Sequence, residues 1–180
     1  YAACEKALAG GNPSSGSVGA GTGATVGKIC GMERAMKSGL GMYAVQLGEL
    51  RMAAVVAVNA LGDIFDSSTG RKIAGLRTED GTAFSDSCEE LWKMGQRENL
   101  FTGNTTIGAV ITNGKFNKAQ MNKIASMTRN AYARCINPVG TMADGDSIYA
   151  ASAGEVEADL NIAGTLAAYV MERAIVAAIR

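Results

Sequence analysis

The sequence predicts an α+β domain, helices packed on a mixed β-sheet. Three observations predict it. Apolar and polar residues alternate through 39–59, the mark of a β-hairpin. A β-branched run at 107–112 marks a buried strand, and apolar residues recur at helical spacing over 118–136 and 159–179. Strands and helices follow one another in an order unlike the strict alternation of a doubly wound parallel sheet.

Residues 10–31 are dense in glycine: Gly10, Gly11, Gly16, Gly19, Gly21, Gly23, Gly27 and Gly31. They match neither phosphate-binding pattern. Five residues separate Gly21 from Gly27-Lys28, Ile29 stands where Ser or Thr is required, and no strand-like run comes before. A loop that lets backbones approach closely is expected instead. In the hairpin, Tyr43, Val45 and Leu47 share one face, Gly48-Glu49 turns, and Leu50, Met52, Ala54, Val56 and Val58 share one face of the return strand. Ile64-Phe65-Asp66 and Lys72-Ile73-Ala74-Gly75 predict a further strand pair.

Residues 77–103 turn polar and charged, with a short helix predicted over 89–94 and a mobile linker in the rest, just ahead of Thr105. Asn117 with Gln120 forms a capping box. Met121, Ile124, Ala125, Thr128, Ala131, Tyr132, Cys135 and Ile136 follow at helical spacing until Pro138 ends the helix. A strand is predicted after Asp146. The helix over 159–179 is apolar around most of its circumference, so it lies between layers or at a subunit contact.

A chain of 180 residues, 47% hydrophobic, suits one domain with a real core. Seventeen basic and seventeen acidic side chains cancel, so no field favours nucleic acid or an anionic membrane surface. No stretch approaches the ~20 apolar residues of a membrane span. The four scattered cysteines form no CxxC pair; free thiols in a reducing, cytoplasmic compartment are expected. The chain contains no histidine, which removes Ser-His-Asp and Cys-His catalysis and every His-ligated metal site. No metal or cofactor is expected. A hydrolase built here must take its base from lysine, a carboxylate or an α-amine.

The stretch Gly103-Asn104-Thr105-Thr106-Ile107-Gly108 begins as a loop and becomes a strand. Thr105 is either the opening residue of a core strand or a nucleophile. If the Asn104–Thr105 bond is cut, its own α-amine titrates near pH ~7.7–8.0 and can take the hydroxyl proton. Asn59, a polar amide ending a nearly apolar strand, is a turn cap or an aimed donor. Lys28 taken alone is a solvated charge. Asp144-Gly145-Asp146 taken alone is an acidic turn, and an EF-hand is excluded by the missing third acidic position and later Glu.

Gly103 to Gly108, followed by Val110-Ile111-Thr112-Asn113, resembles the cleavage-site strand of the DmpA-type aminopeptidases. These are self-cleaving, N-terminal-nucleophile-like hydrolases that include β-peptidyl aminopeptidases and the 6-aminohexanoate-oligomer hydrolase. Val18-Gly19-Ala20-Gly21-Thr22-Gly23-Ala24 with Gly27-Lys28 resembles the family's loop beside the active site. Val56-Ala57-Val58-Asn59-Ala60-Leu61-Gly62-Asp63 resembles the segment whose asparagine lines the oxyanion hole, and Asp144-Gly145-Asp146 the acidic pair beside the nucleophile. Together the matches cover nearly all of residues 15–180.

The resemblance implies a four-layer αββα sandwich with mixed sheets, in which Thr105 opens a central strand. It implies a single catalytic domain over 1–180 that lacks its amino-terminal part. Self-cleavage between Asn104 and Thr105 would divide it into 1–104, the end of an α-chain, and 105–180, a β-chain. Thr105 would attack, Asn59 would stabilise the oxyanion, and Lys28, Asp144 and Asp146 would hold the α-amine, the two aspartates also binding a substrate ammonium. Short peptides or amides with a free amine, β-amino and ω-amino types included, are the implied substrates. The implied assembly is a homo-oligomer, a tetramer or larger, of cleaved heterodimers. Ornithine acetyltransferase, similar in fold and also cleaved at a threonine, offers an acyl-transfer alternative, and a non-catalytic oligomeric binding protein of the same fold is a third reading. One departure stands out: the segment resembled by Asn137-Pro138-Val139-Gly140 often carries a histidine where Gly140 stands.

Overall fold

The structure, a computed structural model, describes residues 4–5, 8–10, 14–95 and 103–179. In chain order its strands and helices are β1 (Thr25–Val26), β2 (Met36–Lys37), β3 (Leu40–Leu47), β4 (Leu50–Ala57), β5 (Asp63–Asp66) and β6 (Arg71–Ala74). Then come α1 (Ser87–Met94), β7 (Ile107–Gly114), α2 (Lys118–Cys135), β8 (Ile136–Asn137), β9 (Ser147–Val156) and α3 (Leu160–Ala177).

The main sheet runs β3-β4-β7-β9. Its first two pairings are antiparallel and the third, β7 with β9, is parallel, so the sheet is mixed as predicted. Leu50, Met52, Ala54, Val56 and Val58 are all buried while their strand neighbours are not, which is the alternation read from the sequence. The hairpin closes at Leu47↔Leu50 through Gly48, whose φ of 60° lies where a side chain is disfavoured. Smaller ladders join β1 to β2 and β6-β5-β8.

Helices α2 and α3 cover one face of the main sheet. Tyr132, Met171, Ala174 and Ile175 pack with Met52, Val56 and Val110 in one core cluster. The close fit is visible at Gly41, where an added Cβ would lie 1.9 Å from the Ala174 carbonyl oxygen. The capping box at Asn117 and Gln120 is formed. Helix α3 is long and apolar enough to cross a membrane by length and composition, but 56% of it is buried inside the domain and it serves as the core helix. Its buried Glu172 accepts from Arg134 at 2.6 Å and from the Ser67 hydroxyl at 2.7 Å.

Three details depart from the expectations. Ile136 does not continue α2 but pairs with Ile64 in β8, because the residue before Pro138 is pushed to extended backbone and the chain straightens early. Ile162 and Tyr169 are exposed on α3, so its apolar coat is not fully used among the described residues. The β7 run is buried on one face only: Val110 is sealed, while Ile107 and Ile111 stand exposed with Tyr149 of β9 on the face away from the helices. The part of the expected mobile linker at 96–102 lies outside the described residues.

Candidate active site

The site forms where β4 runs out and the chain enters β7. Asn59 stands two residues past the end of β4, and two donors from the glycine loop make three hydrogen bonds to it. The Thr25 N–H reaches its Oδ1 at 3.2 Å, and Lys28 Nζ donates to the same Oδ1 at 2.7 Å and to the Asn59 carbonyl oxygen at 3.2 Å. Lys28 is 1% exposed. Main-chain bonds of 2.9 Å from Gly27 to Gly62 and from Lys28 to Leu61 carry it there. Gly27 has a φ of 68°, and a Cβ on it would lie 2.0 Å from Leu76 N, so this glycine serves the close approach expected of the loop. Burial pulls the Lys28 pKa down to about 8, and the Asp144 carboxylate opposes that fall by favouring the cation.

The peptide between Asn104 and Thr105 is gripped from both sides. On the β4 side, the Thr105 N–H donates to the Asn59 carbonyl at 2.9 Å, and Asn59 Nδ2 donates to the Gly103 carbonyl at 3.0 Å. On the β9 side, the Gly145 N–H donates to the Asn104 carbonyl at 2.9 Å, where Asn104 and Asp144 form a parallel bridge. One residue on, the Thr106 N–H donates to Asp146 Oδ1 at 2.8 Å and its carbonyl accepts from the Ser147 N–H at 3.0 Å. The Thr105 hydroxyl donates to the Asn104 carbonyl oxygen at 2.5 Å. Thr105 is not sealed in the core: it opens on a cavity of about 510 Å³ walled by apolar side chains, among them Ala24, Leu40, Val55, Ala57 and Ile107.

Of the residues singled out in the sequence, Lys28, Asn59, Asn104 and Thr105 meet in one constellation. The two aspartates part. Asp144 sits in a tight turn, its Oδ2 accepting from the Thr141 N–H at 3.0 Å and the Thr141 hydroxyl at 2.7 Å, and it reaches Lys28 through charge. Asp146 immediately precedes β9 and lines a different, polar cavity of about 270 Å³ with Arg129 and Tyr132. Burial raises the Asp146 pKa, and the bond from the Thr106 amide works against that rise. Asp144 thus answers to the Thr141 turn and to Lys28, and Asp146 to the Thr106 amide. Two participants, the Thr25 and Gly145 N–H groups, lay outside the sequence reading, because a main-chain donor has no side-chain signature. The glycine between the two aspartates was the available signal.

The family model described as Peptidase family S58 matches residues 1–180. The chain belongs to peptidase family S58. Curated relatives of this S58 chain include an uncharacterized aminopeptidase of Mycobacterium leprae, 32% identical over 145 residues that make up 79% of this chain and 38% of that protein. A 6-aminohexanoate-oligomer endohydrolase of Kocuria sp. is 31% identical over 163 residues, 87% of this chain and 44% of that one. The S58 chain thus spans less than half the length of these relatives.

Among solved structures, the L-aminopeptidase D-Ala-esterase/amidase of Ochrobactrum anthropi is similar with a TM-score of 0.62 at 20% identity, over 98% of this chain and 48% of that one. A Burkholderia sp. β-aminopeptidase is similar with a TM-score of 0.59 at 18% identity, over 98% of this chain and 50% of that one. The Ochrobactrum structure is described as a new variant among the Ntn-hydrolase folds. The α+β fold of the S58 chain, with its mixed sheet and helices, is of this kind.

Proposed function

We propose that this S58 chain is the catalytic part of a self-processing amide hydrolase, an aminopeptidase or amidase whose nucleophile is Thr105. One observation carries the proposal: Thr105 lines an open apolar cavity while its own amide bond is held from both flanks. Self-cleavage begins when Thr105 Oγ1 attacks the Asn104 carbonyl carbon. The C–N bond breaks, the hydroxyl proton ends on the Thr105 nitrogen, and an ester links Asn104 to Oγ1. Water hydrolyses that ester, leaving a carboxylate on Asn104 and a free hydroxyl and α-amine on Thr105.

The new amine starts beside Asn59, whose carbonyl oxygen holds both the Thr105 nitrogen and Lys28 Nζ within hydrogen-bond reach. A lysine cation so near disfavours a second positive charge, so the α-amine stays neutral and able to act as general base. Thr105 then attacks a substrate amide whose acyl part enters the apolar cavity. The alkyl part of an amine-bearing acyl group suits those walls. The names of the relatives, aminopeptidases and a 6-aminohexanoate-oligomer endohydrolase, support substrates of that kind.

Mass spectrometry of the denatured full-length protein tests the proposal. A new amino terminus at Thr105 is expected, and Thr105→Ala should leave the chain whole. Equal processing in that variant would refute the assignment. The processed protein should then release p-nitroaniline from β-alanyl or L-alanyl p-nitroanilide, or shorten 6-aminohexanoate oligomers.

A further inference from the structure

We propose that the main-chain N–H of Gly145 is the oxyanion donor of this site. It would stabilise the charge on the Asn104 carbonyl oxygen during self-cleavage, and later the charge on a substrate's acyl oxygen. The inference rests on Thr105 being the nucleophile.

Three contacts assign this role. The Gly145 N–H lies 2.9 Å from the Asn104 oxygen, the atom on which negative charge develops when Thr105 attacks. The Thr105 hydroxyl also donates to that oxygen, but it gives up this hydrogen as it becomes the nucleophile. The side-chain donor suggested by the sequence, Asn59 Nδ2, is engaged one residue upstream on the Gly103 carbonyl at 3.0 Å. The Gly145 N–H keeps its hydrogen throughout, so its bond to the Asn104 oxygen can persist into the transition state.

The choice of glycine fits. A Cβ at 145 would lie 2.7 Å from Thr105 Oγ1, so a side chain here would press on the hydroxyl that is to attack. Gly145 is also held in place beforehand. It lies two residues before the start of β9, and the next rung, Ser147 N–H to the Thr106 carbonyl at 3.0 Å, fixes the strand beside the bond to be cut. A fixed donor costs no reorganisation during reaction, and one such donor is worth roughly 10²–10³-fold in rate. After cleavage, an acyl group on Thr105 Oγ1 occupies the place Asn104 held, so the same N–H faces its carbonyl.

Cell-free synthesis of the full-length chain can test this with single atoms. Glycolic acid at position 145 replaces the N–H by an ester oxygen and adds no side chain. The hydroxy-acid counterpart of serine at 147 removes the neighbouring rung and leaves the Gly145 N–H intact. The 145 ester should slow self-cleavage roughly 10²–10³-fold, and the 147 ester at most ~10-fold, the worth of an ordinary ladder bond. Equal slowing in the two would make the Gly145 bond a rung and nothing more, and wild-type speed in the 145 ester would likewise overturn the proposal. If the unmodified chain stays whole, the Thr105 assignment and this inference fail together. If it cleaves and the 145 ester cleaves as fast, this inference alone fails.

Discussion

Lys28 holds Asn59 by both ends: its ammonium donates to the side-chain Oδ1 at 2.7 Å and to the main-chain oxygen at 3.2 Å. That main-chain oxygen also accepts the Thr105 N–H, so a buried cation and the candidate nucleophile share one acceptor. Lys28→Met removes the cation and leaves Thr25 N–H on Oδ1. Losing a charge-assisted bond of ~1.5–3 kcal/mol should slow self-cleavage by roughly 10- to 100-fold. Timed denaturing gels of fresh translation product would read it, and unchanged timing would separate Lys28 from the site.

The same lysine sets a pH dependence of stability. Its folded pKa of about 8 lies below its ordinary 10.5, so between those values the folded protein has released a proton that the unfolded chain still binds. Stability then rises with pH across this window and is lost as pH falls through the folded pKa. Urea unfolding of wild type and Lys28→Met, compared from pH 7 to 10, should show wild type gaining on the variant by up to ~1.4 kcal/mol per pH unit. Parallel curves would contradict the buried titration.

Asp146 touches the strand through its Oδ1 acceptor on the Thr106 amide. An amide side chain can still accept there, whereas a methyl group cannot. Asp146→Asn is therefore expected to self-cleave within ~10-fold of wild type, while Asp146→Ala falls further behind by the loss of a buried acceptor. The order of the two rates decides whether position 146 serves by holding the strand or by carrying charge.

Gly41 lets α3 rest on the backbone of β3. A methyl group there would sit 1.9 Å from the Ala174 carbonyl oxygen, and backbone cannot swing aside as a side chain does. Gly41→Ala should destabilise the domain by at least ~1–3 kcal/mol. A calorimetric melt would show the lowered midpoint, and an unchanged one would mean that the helix rides farther from the sheet.

Much of this molecule was legible wherever one residue's chemistry dictates one local outcome. The period of two in Leu50 to Val58 reported the hairpin and its buried face, and Asn117 with Gln120 reported the start of α2. Lys28 and Asn59, distant in the chain, were legible as members of one site only through the family resemblance, and their direct bond is visible only in the structure, since nothing local links a glycine loop to the end of a strand. Asp144 and Asp146 were harder. Two residues apart, they would share a side in a regular strand, but the Thr141 turn captures the first and the Thr106 amide the second. The exposed Ile107 and Ile111 mislead in the opposite direction, because an all-apolar strand does not say which neighbour covers each face.

The grip on residues 103–106 from both neighbouring strands has a further result. A break at the Asn104–Thr105 bond would sever the chain without parting the sheet, since β7 stays laddered to β4 on one side and β9 on the other. The product is a nicked body whose two pieces separate only on unfolding. Its melting midpoint would then climb with protein concentration, as that of a heterodimer does and that of an intact chain does not.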